Sequence, residues 1–223
     1  MQAMIFDLDG TLIDTVYAHV FAWQRALAES GLAIEGWRIH RRIGMSGGLF
    51  PRAVARELGR ELAGAEMEVL RERHGELFGQ MLPDPRPLPG ALDLLQALQN
   101  SGIPFGIATS GQRPEINRSL EILGVGPEVV VECPQAALAK PAAELLVGCQ
   151  ERMRVRREDC CVVGDAVWDL LGARRAGIPS VGLLSGGYGA EELSRAGAFR
   201  IYRDPLELLE SLDEVGMGDA TPV

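Results

Sequence analysis

The apolar pattern changes period twice along the chain. Met4-Ile5-Phe6 is a short continuous apolar run that ends in Asp7-Leu8-Asp9-Gly10-Thr11. Such a run predicts a buried strand whose carboxyl end opens into a turn. From about 15 to 82 the spacing becomes helical. Val16, Val20, Trp23, Leu27 and Leu32 recur at three- to five-residue steps, and further helical patterns cover 37–43, 49–58 and 67–82, with Gly44 and Gly47-Gly48 between them. No strand pattern interrupts this stretch. Pro83, Pro85, Pro87 and Pro89 then exclude a helix and predict a stiff, extended connector.

Beyond the connector, apolar runs and amphipathic segments alternate. Helices are expected over 91–100, 114–123, 142–153, 169–176, 191–196 and 205–212. Strands are expected over 103–109, 129–132, 160–164, 179–184 and 199–202, and 213–223 reads as a frayed tail. Apolar strands alternating with helices predict an α/β fold, a doubly wound parallel sheet covered on both faces. The helical stretch reads as an insertion after the first strand. The expected organisation is therefore a core of 1–14 and 84–223 with an all-helical cap of 15–83.

Composition changes this picture little. At 223 residues, 47% hydrophobic and 24% charged, the chain is an ordinary globular one, and with 5% aromatics its core must rest on Leu, Val, Ile and Ala. The balance of 22 basic against 31 acidic residues gives a net charge of −9, which argues against nucleic acid or an anionic membrane as partner. No apolar stretch approaches the ~20 residues of a membrane span. Met1 leads within two residues into the first strand, without the basic and apolar regions of a signal peptide, so a cytoplasmic location is expected. Cys133, Cys149, Cys160 and Cys161 form no CxxC pair and read as reduced thiols.

The informative residues lie at predicted strand ends, where doubly wound sheets bind ligands. They are Asp7 and Asp9, then Thr109 and Ser110, then Lys140, then Asp165 and Asp169. Asp7 and Asp9, two apart, share a face on an extended chain; Asp165 and Asp169 share one on a helical turn. Four converging carboxylates need a cation, and oxygen ligands without nearby His or Cys favour Mg²⁺. Carboxylates, a divalent cation, a lysine and hydroxyl donors together suit a transferring phosphoryl group. Taken singly, each piece also reads as an ordinary turn or helix cap.

In order, Asp7-Leu8-Asp9-Gly10-Thr11-Leu12, Ala108-Thr109-Ser110, Lys140-Pro141 and Gly164-Asp165-Ala166-Val167-Trp168-Asp169 resemble the four motifs of the haloacid dehalogenase-like hydrolase superfamily. The resemblance spans nearly the whole chain, and the helical insertion looks like the small cap of the phosphoglycolate phosphatase and β-phosphoglucomutase branch. It implies a Mg²⁺-dependent phosphatase acting on a small phosphorylated metabolite, as a monomer or homodimer. Asp7 would be the nucleophile and Asp9 the acid and base. Thr109, Ser110 and Lys140 would hold the phosphoryl group. Asp7, Asp9 (through its carbonyl), Asp165 and Asp169 would serve the metal. Asp9 argues against a true dehalogenase. Gly164 stands where β-phosphoglucomutases carry Glu, and Gly47 where their cap carries Arg, whereas His19 stands where they place a cap histidine. Two alternatives remain at this point, a phosphomutase of the same fold and a non-catalytic phosphoryl-binding protein.

The cap carries weaker signals. Arg38, His40, Arg41 and Arg42 form a basic cluster, read either as substrate contacts, with Arg41 the candidate, or as a solvated helix face. The loop Gly44-Met45-Ser46-Gly47-Gly48 makes Met45 and Ser46 candidate substrate contacts. Trp23 and Trp37 read as core, His19 as a helix histidine near the acid, and His74 offers no pattern. The two crossings, 12–15 and 83–89, read as hinges for cap closure.

Overall fold

The structure, a computed structural model, describes residues 2–45, 49–111, 113, 115–132 and 140–217. Six described strands form one parallel sheet: β1 (Ala3–Phe6), β2 (Phe105–Thr109), β3 (Val130–Glu132), β4 (Cys160–Gly164), β5 (Ser180–Leu183) and β6 (Ala198–Tyr202). Their order is β3-β2-β1-β4-β5-β6. The order reverses between β1 and β4, and this reversal opens a crevice at the carboxyl ends of the strands.

Period-two alternation builds both faces of the sheet. Met4 and Phe6 of β1, with Cys161 and Val163 of β4, enter an apolar cluster beneath helices α5 (Ala91–Asn100), α6 (Asn117–Leu123) and α10 (Pro205–Glu210). Ala3 and Ile5, with Cys160 and Val162, enter the opposite cluster beneath α7 (Glu144–Met153) and α8 (Val167–Ala176). Adjacent Cys160 and Cys161 therefore point to opposite faces, and both are free thiols. Helix α9 (Ala190–Ala196) packs with α8 over β5 and β6.

The expected helical insertion is present as α1 (Val16–Glu29), α2 (Gly36–His40), α3 (Phe50–Glu57) and α4 (Gly64–Met81). These helices have an apolar cluster of their own, with Val20, Trp23, Leu27, Phe50, Leu70 and Phe78 among its members. The chain crosses into and out of this layer through paired segments. Ile13 bridges Pro87, the Asp14 N–H donates to the Arg86 carbonyl at 2.9 Å, and the Leu88 N–H to the Leu12 carbonyl at 2.9 Å.

Two expectations are corrected. Residues 213–217 do not fray: Val215 and Met217 are buried in the core cluster, so their side chains dock on the sheet layer. The rest of that tail, 218–223, lies outside the described residues. Trp37 is not core but 69% exposed, because the five-residue α2 buries only Ile39.

Candidate active site

Adjacent strands β2, β1 and β4 end side by side and deliver the polar residues to one place. Asp7 follows β1, Thr109 closes β2 and Ser110 follows it, and Asp165 follows β4. Asp169 stands in the first turn of α8, where its Oδ2 accepts the Ala166 N–H at 3.0 Å and so caps that helix. Lys140, wholly buried, forms an ion pair with Asp7 and another with Asp169 Oδ1 at 2.8 Å. The loop before it, 133–139, lies outside the described residues.

Oxygen atoms of Asp7, Asp165 and Asp169 lie within 4.8 Å of one another. Thr11 Oγ1 donates to Asp165 Oδ1 at 2.7 Å, and Thr15 Oγ1 donates to Asp9 Oδ1 at 2.6 Å. The turn that packs these groups needs Gly10. Its φ is +84°, and a Cβ there would collide with Asp165 and Val16. Thr109 is buried, with its Oγ1 accepting the Gly111 N–H at 2.9 Å, and the Ser110 hydroxyl is buried with no hydrogen-bond partner among the described residues.

Three buried carboxylates against one ammonium leave an excess of negative charge in a place water barely reaches. Burial, reinforced by Asp169 and Asp9 against the pull of Lys140, raises Asp7 to about 7. Burial, reinforced by Asp169 and Asp7, raises Asp165 well above the ordinary range. Burial would depress Lys140, but Asp169 and Asp7 outweigh it and hold the ammonium charged. This cluster is built to accept a cation. Its donors are all oxygen, its charge is unbalanced, and Asp7 and Asp165 lie beside each other at the two strand ends flanking the crevice.

Asp9 looks the other way, toward the helical layer. Its Oδ1 lies 3.4 Å from His19 Nε2 on α1. Burial alone would raise Asp9, yet His19 and Thr15 together hold it below the usual carboxylate range. Burial alone would lower His19, yet Asp9 and Glu115 raise it. His19 Nδ1 meets His74 Nε2 of α4 at 3.1 Å, and His74 Nδ1 lies 3.3 Å from Glu115 Oε1. Sequence reasoning missed His74 and Glu115. The only available signal was the four- and three-residue spacing that puts His74 on the face of α4 carrying Leu70 and Leu77.

The cap candidates are placed as follows. Arg41 pairs with Glu192 of α9 and lies 4.4 Å from the Tyr188 ring centre, while its carbonyl accepts from Trp168 Nε1 and the Tyr188 hydroxyl. It thus joins the helical layer to the sheet layer, and its guanidinium is held at that seam. Arg38 and Arg42 both pair with Glu57, and His40 contacts the Gly186 carbonyl at 2.8 Å. Met45 packs against the apolar cluster of the helices, and Ser46 lies outside the described residues. Trp23 is buried, as expected, and stacks on His74.

A family profile for haloacid dehalogenase-like hydrolases matches residues 1–177. A phosphoglycolate phosphatase of Rhodospirillum rubrum is 32% identical over 212 residues, covering 91% of this chain and 87% of that one. The crystal structure of a hydrolase from Pseudomonas syringae superposes with a TM-score of 0.93 at 40% identity, over 96% of this chain and 99% of that chain. That of a family hydrolase from Deinococcus radiodurans, with bound phosphate and sodium, superposes with a TM-score of 0.72 at 27% identity, over 100% of this chain and 99% of its own.

Proposed function

The chain belongs to the haloacid dehalogenase-like hydrolase family and is a phosphatase, and from that premise we propose that it hydrolyses a small phosphomonoester in two displacements through Asp7. The observation that carries this reading is the buried contact of Asp7 with Lys140 beside Asp165 and Asp169. A carboxylate at the open end of a central strand, gripped by an ammonium, is placed to attack phosphorus rather than to stabilise the fold.

In the first displacement an Asp7 carboxylate oxygen bonds to phosphorus and the bond from phosphorus to the ester oxygen breaks. Asp9 passes a proton to the departing alkoxide. In the second, Asp9 takes a proton from water as the water oxygen bonds to phosphorus, and the Asp7 carboxylate leaves unchanged. Thr109, the Ser110 hydroxyl and Lys140 hold the phosphoryl oxygens in both steps; the unpartnered Ser110 Oγ supports this assignment. The donor set fits Mg²⁺, held by the Asp7 and Asp165 carboxylates and the Asp9 carbonyl, with Asp169 securing the site from behind through Lys140 and the helix start. Bound there, Mg²⁺ supplies charge neutralisation for the carboxylates and the phosphoryl oxygens.

Phosphoglycolate is the first substrate to try, because the Rhodospirillum relative acts on it by name. The location this reading suits is the cytoplasm, and no helix of the described residues is long and apolar enough to cross a membrane. The test is phosphate release from a panel of phosphomonoesters with Mg²⁺ and with chelator. Mg²⁺-dependent release by the wild type, absent in Asp7→Asn, is expected. Transfer of phosphate to a sugar in place of water would turn the reading to a mutase, and no turnover of any ester would leave only a phosphoryl-binding protein.

A further inference from the structure

We propose that His74 and Glu115 are positioning residues for proton transfer, forming with His19 a strut that runs from the sheet layer into the helical layer and back, and fixes Asp9. The inference rests on the reading that Asp9 handles the proton of the leaving group. The strut has four members and four contacts: Asp9 Oδ1 to His19 Nε2 at 3.4 Å, His19 Nδ1 to His74 Nε2 at 3.1 Å, His74 Nδ1 to Glu115 Oε1 at 3.3 Å, and, more distantly, Glu115 Oε1 to His19 Nδ1 at 3.9 Å. Both ends lie in the sheet layer. Asp9 is in the turn after β1, and Glu115 is in the loop between β2 and α6, the same loop that begins with Ser110. The two histidines lie in α1 and α4, so the strut is complete only with those helices seated over the crevice.

Aromatic rings fix the middle of the strut. His19 stacks on Phe78 with ring centres 4.1 Å apart and planes within 6°. His74 stacks on Trp23 at 4.2 Å and 14°, and Phe50 supports Trp23 edge-on at 5.0 Å. Neither imidazole can rotate without breaking a stack inside the apolar cluster.

The chemistry of the links sets a direction. Burial, then His19, pushes His74 well below its ordinary value, so it is neutral, with one N–H and one lone pair. The contact with Glu115 is not aligned as a hydrogen bond, since Oε1 has no donor among the described residues. Burial raises Glu115 against the pull of His19; in its ionised form the carboxylate acts through its charge, which favours the N–H on Nδ1. His74 Nε2 then offers its lone pair, His19 Nδ1 donates to it, and His19 Nε2 is turned to Asp9. Without the charge at Glu115, His74 is free to adopt the other tautomer. Two N–H groups would then face each other at 3.1 Å, and His19 would swing from Asp9.

Variants at Glu115 test this by leaving-group dependence. The values of kcat/KM are measured for 2-phosphoglycolate, whose alkoxide must be protonated, and for p-nitrophenyl phosphate, whose leaving group needs little help. Glu115→Ala should lower the first by about tenfold and the second by less than about threefold. Glu115→Gln, which keeps the size but not the charge, should lose nearly as much as Ala. An equal loss on both substrates, or a Gln variant as active as the wild type on 2-phosphoglycolate, would overturn the proposal. An independent readout uses wild-type protein labelled with ¹⁵N-histidine: His74 should appear neutral with its proton on Nδ1, and a proton on Nε2 would overturn the proposal. If the wild type turns over neither ester, the phosphatase reading fails, and the tautomer still decides the strut.

Discussion

The molecule buries two polar clusters that lie close together and are held in different ways. The carboxylate cluster of Asp7, Asp165, Asp169 and Lys140 belongs to one layer, at the ends of β1 and β4, and is held by charge. The cluster of His19, His74 and Glu115 is shared between two layers and is held by stacked rings. The first carries more negative charge than its lysine can balance and calls for a cation. The second pairs charge within itself, Glu115 facing both histidines. The contrast teaches that buried titratable groups can be arranged in two ways in one site: a cradle with unbalanced charge, and a chain in which a neutral His74 stands between charged partners.

The comparison breaks most sharply at Asp7. Asp7→Asn should abolish turnover, by at least about a thousandfold, or ~4 kcal/mol of barrier. The fold should stay intact, because the amide removes a buried charge. Phosphate release and circular dichroism would show both. Lys140→Met should come next. It leaves three carboxylates buried without their ammonium, and breaking such a pairing costs about 3–5 kcal/mol. The variant should melt well below the wild type in chelator and recover in part with Mg²⁺.

A smaller effect follows from protonation. Without metal, folded Asp7 titrates at about 7 against an unfolded value of 3.8. The folded state therefore holds the proton more tightly, so its contribution to stability is present below pH ~4 and is lost as pH rises to ~7. In a series of melts, the gain in Tm from Mg²⁺ should be larger at pH 7.5 than at pH 5.5. A gain larger at the lower pH would contradict the cradle. The smallest effect is expected at Arg41, tied to Glu192 and Tyr188 at the seam. A half-exposed pair of this kind contributes about 0.5–1 kcal/mol. Arg41→Ala should change KM by less than about threefold, and a loss beyond tenfold would make Arg41 a substrate contact.

Legibility in the sequence follows the same division. The sheet announced itself because β1, β2, β4 and β5 are short, mainly apolar runs buried along their whole length. The cradle announced itself because its residues sit immediately after those runs: Asp7 after Phe6, Ser110 after Thr109, Asp165 after Gly164. The strut did not, because its members come from three distant segments and each has an ordinary local explanation. His74 occupies an apolar face of α4, and Glu115 follows a loop whose neighbours Gln112 and Pro114 lie outside the described residues. Trp37 misled because an aromatic at helical spacing normally faces a core, and α2 is too short to bury more than Ile39. The segment 213–217 misled because Val215 and Met217 dock as single apolar residues among turns, with no period to reveal them.

The account stands on covalent attachment of the phosphoryl group to Asp7. Rapid acid quench of the Mg²⁺-loaded enzyme with a ³²P-labelled phosphomonoester, followed by peptide mapping, tests it directly. Label on the peptide that contains Asp7, formed at the rate of alcohol release and absent in Asp7→Asn, is the predicted result. Full turnover with no label on the protein at any time point would contradict it.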